Sequence, residues 1–163
     1  MNGAVQRLRA EVQSDRRAID ALVAELRELG LGPAASAGDL ARAAVALHHA
    51  YSAFESIMLR VARQLEGEPP DGPDWHLTLL ESMGLALEGI RDPLWSSRVI
   101  AGLRRLMAFR HFFRHAYTVP LDGERLSELR EGLLEIHAIA SEDLDHLDAF
   151  LQALAEPPGS SSD

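Results

Sequence analysis

The chain contains no cysteine. That excludes disulfides, thiolate metal ligands and a cysteine nucleophile, and it suits a reducing compartment. No run of about 18 apolar residues is present, so no membrane span is expected. The first residues, MNGAVQRLRAEVQSDRR, bring charge too early for a signal peptide. Alternating apolar and polar stretches bounded by hairpin turns, the mark of paired strands, are missing as well. Basic residues are the minority: 16 Lys plus Arg stand against 25 Asp plus Glu, a formal charge of −9. A globally acidic protein does not hold nucleic acid through bulk charge, so any RNA contact must rest on a local basic patch. The expectation is a cytoplasmic protein without membrane contact or cofactor.

What the chain does have is helical periodicity. Its 163 residues, 47% of them hydrophobic, suit one domain with a real core. Four breaks rich in Gly and Pro divide it: Gly30 to Pro33, Gly67 to Pro73, Arg91 to Pro93, and Thr118 to Gly123. The first segment places Val5, Leu8, Val12, Ile19, Leu22, Leu26 and Leu29 at helical spacing, interrupted by Asp15. The second carries the clearest stripe: Leu40, Ala44, Leu47, Tyr51, Phe54, Met58, Val61 and Leu65. The third puts Leu79, Met83, Ala86 and Ile90 on one face; the fourth runs from about Leu94 to Tyr117. The fifth, from about Glu124 to Ala155, carries Leu126, Leu129, Leu133, Ile136, Ala140, Leu147, Phe150 and Leu154. Long helices with short connectors pack as an up-and-down bundle. The fold predicted is therefore all-α, four to five helices over residues 1–155, with a polar tail at 156–163 (EPPGSSSD) expected to be disordered.

Charge is unevenly spread. Between Pro93 and Leu121 there is no Asp or Glu, yet Arg98, Arg104, Arg105, Arg110, Arg114, His111 and His115 all lie there. At about 100° per residue, Arg110, Arg114, His111, His115 and Tyr117 fall on one arc of a helix. Phe109, Phe112, Phe113 and Ala116 fall on the other, so the aromatics are expected in the core and the Arg/His arc facing outward.

Such an arc fits an anion. Guanidinium groups match phosphate oxygens in a planar fork. A histidine near its ordinary pKa exchanges protons at neutral pH. Together they suit metal-independent RNA cleavage, in which the 2′-hydroxyl is the nucleophile, a histidine moves the proton and an arginine stabilises the phosphoryl charge. On charge and periodicity alone, a merely solvated face remains the competing reading.

The pattern Arg110, four residues, His115, one residue, Tyr117 resembles the signature of HepT-like toxins in the HEPN superfamily of helical proteins. Its setting agrees: FRHFFRHAY lies near a helix end, just before the last long helix. The stretch Glu66 to Met83 is also similar to the inter-helix region of one subgroup. The resemblance implies a ribonuclease toxin of a type II-like toxin–antitoxin pair, with Arg110 and His115 catalytic. His111 stands where many members carry Asn; it and Arg114 are the candidate phosphate and RNA contacts. Tyr117 matches the tyrosine to which a minimal nucleotidyltransferase antitoxin of the MntA type adds AMP. The implied partners are thus RNA, an MntA-like antitoxin and a second copy in a two-fold dimer. The alternative is a non-catalytic helical subunit that presents substrate to a nucleotidyltransferase.

Other polar residues invite blander readings. His48 and His49 are adjacent and diverge by about 100°, which does not suit a metal pair. His111 and His115 have i, i+4 spacing, but the neighbouring arginines would repel a cation. No metal site is expected. His76, beside Trp75 at a helix start, reads as structural. His137, His146 and the acids Glu142, Asp143, Asp145 and Asp148 read as a solvated face or a surface for a basic partner. Trp95 reads as the anchor of the fourth helix.

Overall fold

The computed structural model describes residues 2–115 and 119–156. Five α-helices form: α1 (Asn2–Glu28), α2 (Ala37–Val61), α3 (Trp75–Ser82), α4 (Ser97–His115) and α5 (Gly123–Ala155). A π-helical turn, Ala62–Glu66, prolongs α2 and ends at Gly67, whose φ of 103° suits a residue without a Cβ. Ser36 caps α2 by accepting from the Asp39 amide at 3.0 Å, and Asp122 caps α5 by accepting from the Glu124 amide at 3.0 Å. The tail expected to be disordered falls, apart from Glu156, outside the described residues. Among the described residues no helix is long and apolar enough to cross a membrane.

The bundle's direction can be read from its side-chain pairs. Arg9 meets Asp148, Arg16 meets Asp145 and Asp20 meets His137, so α1 and α5 run antiparallel. Glu11 and Asp15 meet Arg60 while Glu25 meets Arg42, so α1 and α2 do too. Ser96 meets Asp143 and Gly102 abuts Ile136, a pairing that runs α4 against α5. The four long helices close into an up-and-down square, with α3 laid across α2 and α4.

Helix α2 is the axis of this arrangement. Its stripe is buried at Ala44, Leu47, Tyr51, Phe54, Met58 and Val61, and Ala43, Ala46, Ala50 and Ile57 widen it. Small alanines let neighbouring helices approach on several sides. Trp95 is buried and meets Phe54 edge-on at 5.7 Å, anchoring the approach to α4. In α1 the seam runs through Val23 rather than Leu22, which is only partly buried. Asp15, which interrupts the seam, accepts from Arg60 Nε at 2.9 Å.

Three expectations are corrected. The third segment does not continue as a helix through Ala86 and Ile90: α3 stops at Ser82, and Leu87 bridges Arg91 around Gly89. The Ser82 carbonyl accepts from the Leu85 amide in a tight turn, and the Arg91 guanidinium steadies that turn by donating to the carbonyls of Ser82 and Leu85. Phe112 does not enter the core; it is 51% exposed and lines a surface pocket with Val119, Leu121 and Leu126. Of the acids on α5, Glu142 and Asp145 are exposed as expected, with Asp145 meeting Arg16, but Asp148 holds Arg9 and Gln13, and Asp143 caps the Ser96 amide. His137 likewise pairs with Asp20 at 2.6 Å.

The α4–α5 crossing rests on a glycine. A Cβ on Gly102 would lie 2.6 Å from Ile136 Cγ2 and 2.9 Å from its Cδ1, whereas one on Gly132 would meet nothing within 4 Å. A methyl in a helix interior favours the helix by roughly 1 kcal/mol over glycine, but forced overpacking costs about 1–3 kcal/mol. Gly102→Ala is therefore expected to lower stability by roughly 1 kcal/mol net, and Gly132→Ala to raise it by a similar amount. Urea unfolding of the two variants checks this: equal shifts of the same sign would show that the crossing is looser than drawn.

Candidate active site

A groove of about 430 Å³ opens between the start of α3 and the last two turns of α4, lined by Pro73, Asp74, His76, Leu77, Met107, Ala108, Arg110, His111, Arg114 and His115. Four of the five residues singled out from sequence thus converge. Tyr117, the fifth, lies outside the described residues. The acid-free window explains the groove's cationic wall, and Asp74 is the acid on its opposite side.

Arg110 does not face outward with the rest of its arc. Its side chain is 17% exposed and turns toward α2, where Nη1 lies 3.5 Å from Glu55 Oε1. Its guanidinium carbon sits 5.5 Å from the centre of the Tyr51 ring, a cation–π contact. The Glu55 contact is too long for a strong hydrogen bond, and Arg110 Nε is buried without a partner among the described residues. Several of the five guanidinium donors thus remain uncommitted. The residue is held by charge and by an aromatic floor, with donors to spare for an anion.

His115 is exposed, and its Nδ1 lies 2.8 Å from the His111 carbonyl oxygen. A carbonyl only accepts, so Nδ1 carries the proton and the neutral ring presents Nε2 as the base. The His111 and His115 rings pack at 4.6 Å. Arg114 and His111 are exposed along the same edge.

The sequence reading missed the layer beneath. Glu55, only 6% exposed, places one carboxylate oxygen toward Arg110 and the other 2.5 Å from His76 Nδ1. His76, read as structural, is a groove residue. A signal existed: Glu55 is the sole acid between Asp39 and Glu66 on a helix that is apolar almost all round. Tyr51 lies under Arg110 with its hydroxyl buried and, among the described residues, without a hydrogen-bond partner. Burial first, then the Glu55 charge, pushes its ionisation well above the ordinary value of 10.0, so it stays a neutral phenol.

His48 lies one turn before Tyr51 on α2, its ring 5.6 Å from that of Phe113. Burial first, and then the charges of Arg110, His49 and Arg114, lower its pKa below 6.5. The unfolded chain protonates His48 near 6.5, the folded protein only at lower pH. Unfolding therefore takes up a proton in that interval, and stability falls as pH drops from 6.5 through the folded value. His48→Gln, which cannot titrate, is expected to unfold less readily than the parent at pH 5.5 relative to pH 7.5. Urea midpoints at both values test this, and an unchanged difference between the proteins would count against it.

The fold is an all-α bundle with a cationic groove at the end of its penultimate long helix, and the family match makes it a HEPN-superfamily protein. More particularly, the family described as HepT-like protein matches residues 42–154, from α2 through nearly all of α5, and the chain belongs to that family. No curated protein and no solved structure matches it. Among the described residues no three His, Asp or Glu side chains cluster as metal ligands would.

Proposed function

We propose that the protein is a metal-independent endoribonuclease and the toxin of a toxin–antitoxin pair. The observation that carries this is the groove in which Arg110, His111, Arg114 and His115 converge, with His115 Nε2 free to act as a base. Membership of a superfamily whose proteins are generally ribonucleases supports it. His115 takes the proton from the ribose 2′-hydroxyl, and the 2′-oxygen attacks phosphorus. Arg110 stabilises the charge that builds on the phosphoryl oxygens, while Arg114 and His111 hold the flanking phosphate. The products are a 2′,3′-cyclic phosphate and a 5′-hydroxyl. DNA lacks the nucleophile and is not cut.

Control falls to Tyr117, two residues beyond His115. AMP added there by an MntA-like nucleotidyltransferase antitoxin places a phosphate and its negative charge near Arg110, occupying the anion site. A two-fold dimer would set two such grooves together and double the local positive charge that an acidic chain needs to hold RNA.

Incubation of AMP-free protein with a mixed RNA pool in EDTA tests this reading. Cleavage into fragments with cyclic phosphate ends is expected. Intact RNA with folded protein would overturn it and bring forward the non-catalytic subunit that presents substrate to a nucleotidyltransferase.

A further inference from the structure

Cleavage through the 2′-hydroxyl moves two protons, one off the nucleophile and one onto the 5′-oxygen that leaves. His115 accounts for the first. The groove holds a second histidine from a different helix. His76 Nδ1 donates to Glu55 Oε2 at 2.5 Å, which leaves Nε2 as its free nitrogen. The Trp75 ring stacks on the imidazole with centres 3.6 Å apart and planes inclined by 28°, fixing the ring. The facing charged and titratable groups are Glu55 on α2, Asp74 beside His76 in sequence, and Arg110, His111, Arg114 and His115 on α4.

We infer that His76 is the general acid of the groove, donating from Nε2 to the leaving 5′-oxygen, and that Glu55 is its positioning residue. The inference rests on the ribonuclease reading. A histidine that hands on a proton passes through its imidazolium form, and the buried Glu55 carboxylate is the counter-ion for that form. The same carboxylate meets Arg110 through its other oxygen, 3.5 Å away. One buried acid therefore faces both the phosphate-binding arginine and the acid histidine. In the step itself the O2′–P bond forms and the P–O5′ bond breaks. His115 gains the 2′ proton and His76 loses one to O5′, so protons balance and no other reactant is required.

The test uses an oligoribonucleotide in which sulfur replaces the bridging 5′-oxygen at the linkage the protein cuts. A thiolate leaves without being protonated, so it makes a general acid unnecessary. His76→Gln is expected to slow cleavage of the ordinary oligonucleotide by about 10²–10⁴-fold, and the sulfur substrate to restore the variant to within about tenfold of the parent. His115→Ala is expected to stay slow on both. Glu55→Gln should follow His76→Gln more weakly, with partial sulfur rescue. Should either variant fail to fold, the parent protein decides alone: sulfur should remove the alkaline limb of its pH–rate profile. A fully active His76→Gln, an absence of sulfur rescue, or an unchanged parent profile would overturn the role of His76. If the parent cuts neither substrate, the ribonuclease reading fails first.

Discussion

Alanine at His115 is expected to slow RNA cleavage by about 10²–10⁴-fold, the usual contribution of a positioned proton-transfer group, with the fall in kcat rather than in substrate affinity. The clean reading comes from geometry. His115 is exposed, and among the described residues its one hydrogen bond, 2.8 Å to the His111 carbonyl, stays within its own helix. Removing it strands no buried group, so stability should hold within about 0.5 kcal/mol. Arg110 is a different case. Its removal takes away phosphate stabilisation, about 10²–10³-fold by analogy with the loss of one oxyanion donor. It also leaves the buried Glu55 carboxylate with His76 alone. Arg110→Ala thus mixes a catalytic with a stability effect. Arg110→Lys keeps the charge beside Glu55 and loses the planar fork, so it separates the two. Single-turnover cleavage in EDTA alongside thermal unfolding measures both. A His115→Ala protein that is folded and as active as the parent would remove His115 from the mechanism.

Most of the bundle was legible because its long helices announce themselves through spacing. The stripe from Leu40 to Val61 on α2, carried on to Leu65 by the π-helical turn, and the last helix from Gly123 to Ala155 needed only apolar periodicity and a cap residue. What periodicity cannot see is the competition for backbone carbonyls. Leu79, Met83, Ala86 and Ile90 have helical spacing, yet the chain turns after Ser82, where the Leu85 amide and the Arg91 guanidinium share the Ser82 carbonyl. Nor does a helical wheel say where a neighbouring helix ends. Phe112 sits on the apolar arc of α4 yet is half exposed, on the wall of a surface pocket it shares with Val119, Leu121 and Leu126.

The groove shows the same division. Arg110, His111, Arg114 and His115 were visible as a cluster because they are close in sequence and free of acids. Glu55 and His76 were not, since they come from α2 and α3 and meet Arg110 only in three dimensions. The wheel also drew Arg110 as outward-facing. Polarity suggested water, but Tyr51 and Glu55 offer it a partly buried aromatic and anionic seat instead.

Arg91→Ala is expected to cost about 3–5 kcal/mol, as removal of one member of a buried ion pair does. The Arg91 side chain is 2% exposed and meets Glu66 at 2.6 Å. It also donates to the carbonyls of Ser82, Leu85 and Asp92 at 3.0–3.2 Å. One guanidinium therefore satisfies three backbone acceptors and one carboxylate, and alanine leaves all four without this donor. At roughly 2–4 °C per kcal/mol for a chain of this size, the melting temperature should fall by about 6–20 °C. Glu66→Gln should cost much less, because an amide oxygen still accepts from the guanidinium and the side chain is already 15% exposed. The consequence reaches the groove. Arg91 fastens the connector between α3, which carries His76, and α4, which carries Arg110 and His115. Below its lowered melting point, Arg91→Ala should therefore show a reduced cleavage rate as well, because the two walls of the groove are no longer held in register. If the loss of stability is under 1 kcal/mol, the guanidinium is reached by water and does not organise the turn. If stability falls but the rate of the folded fraction is unchanged, the connector holds the bundle together without setting the geometry of the groove.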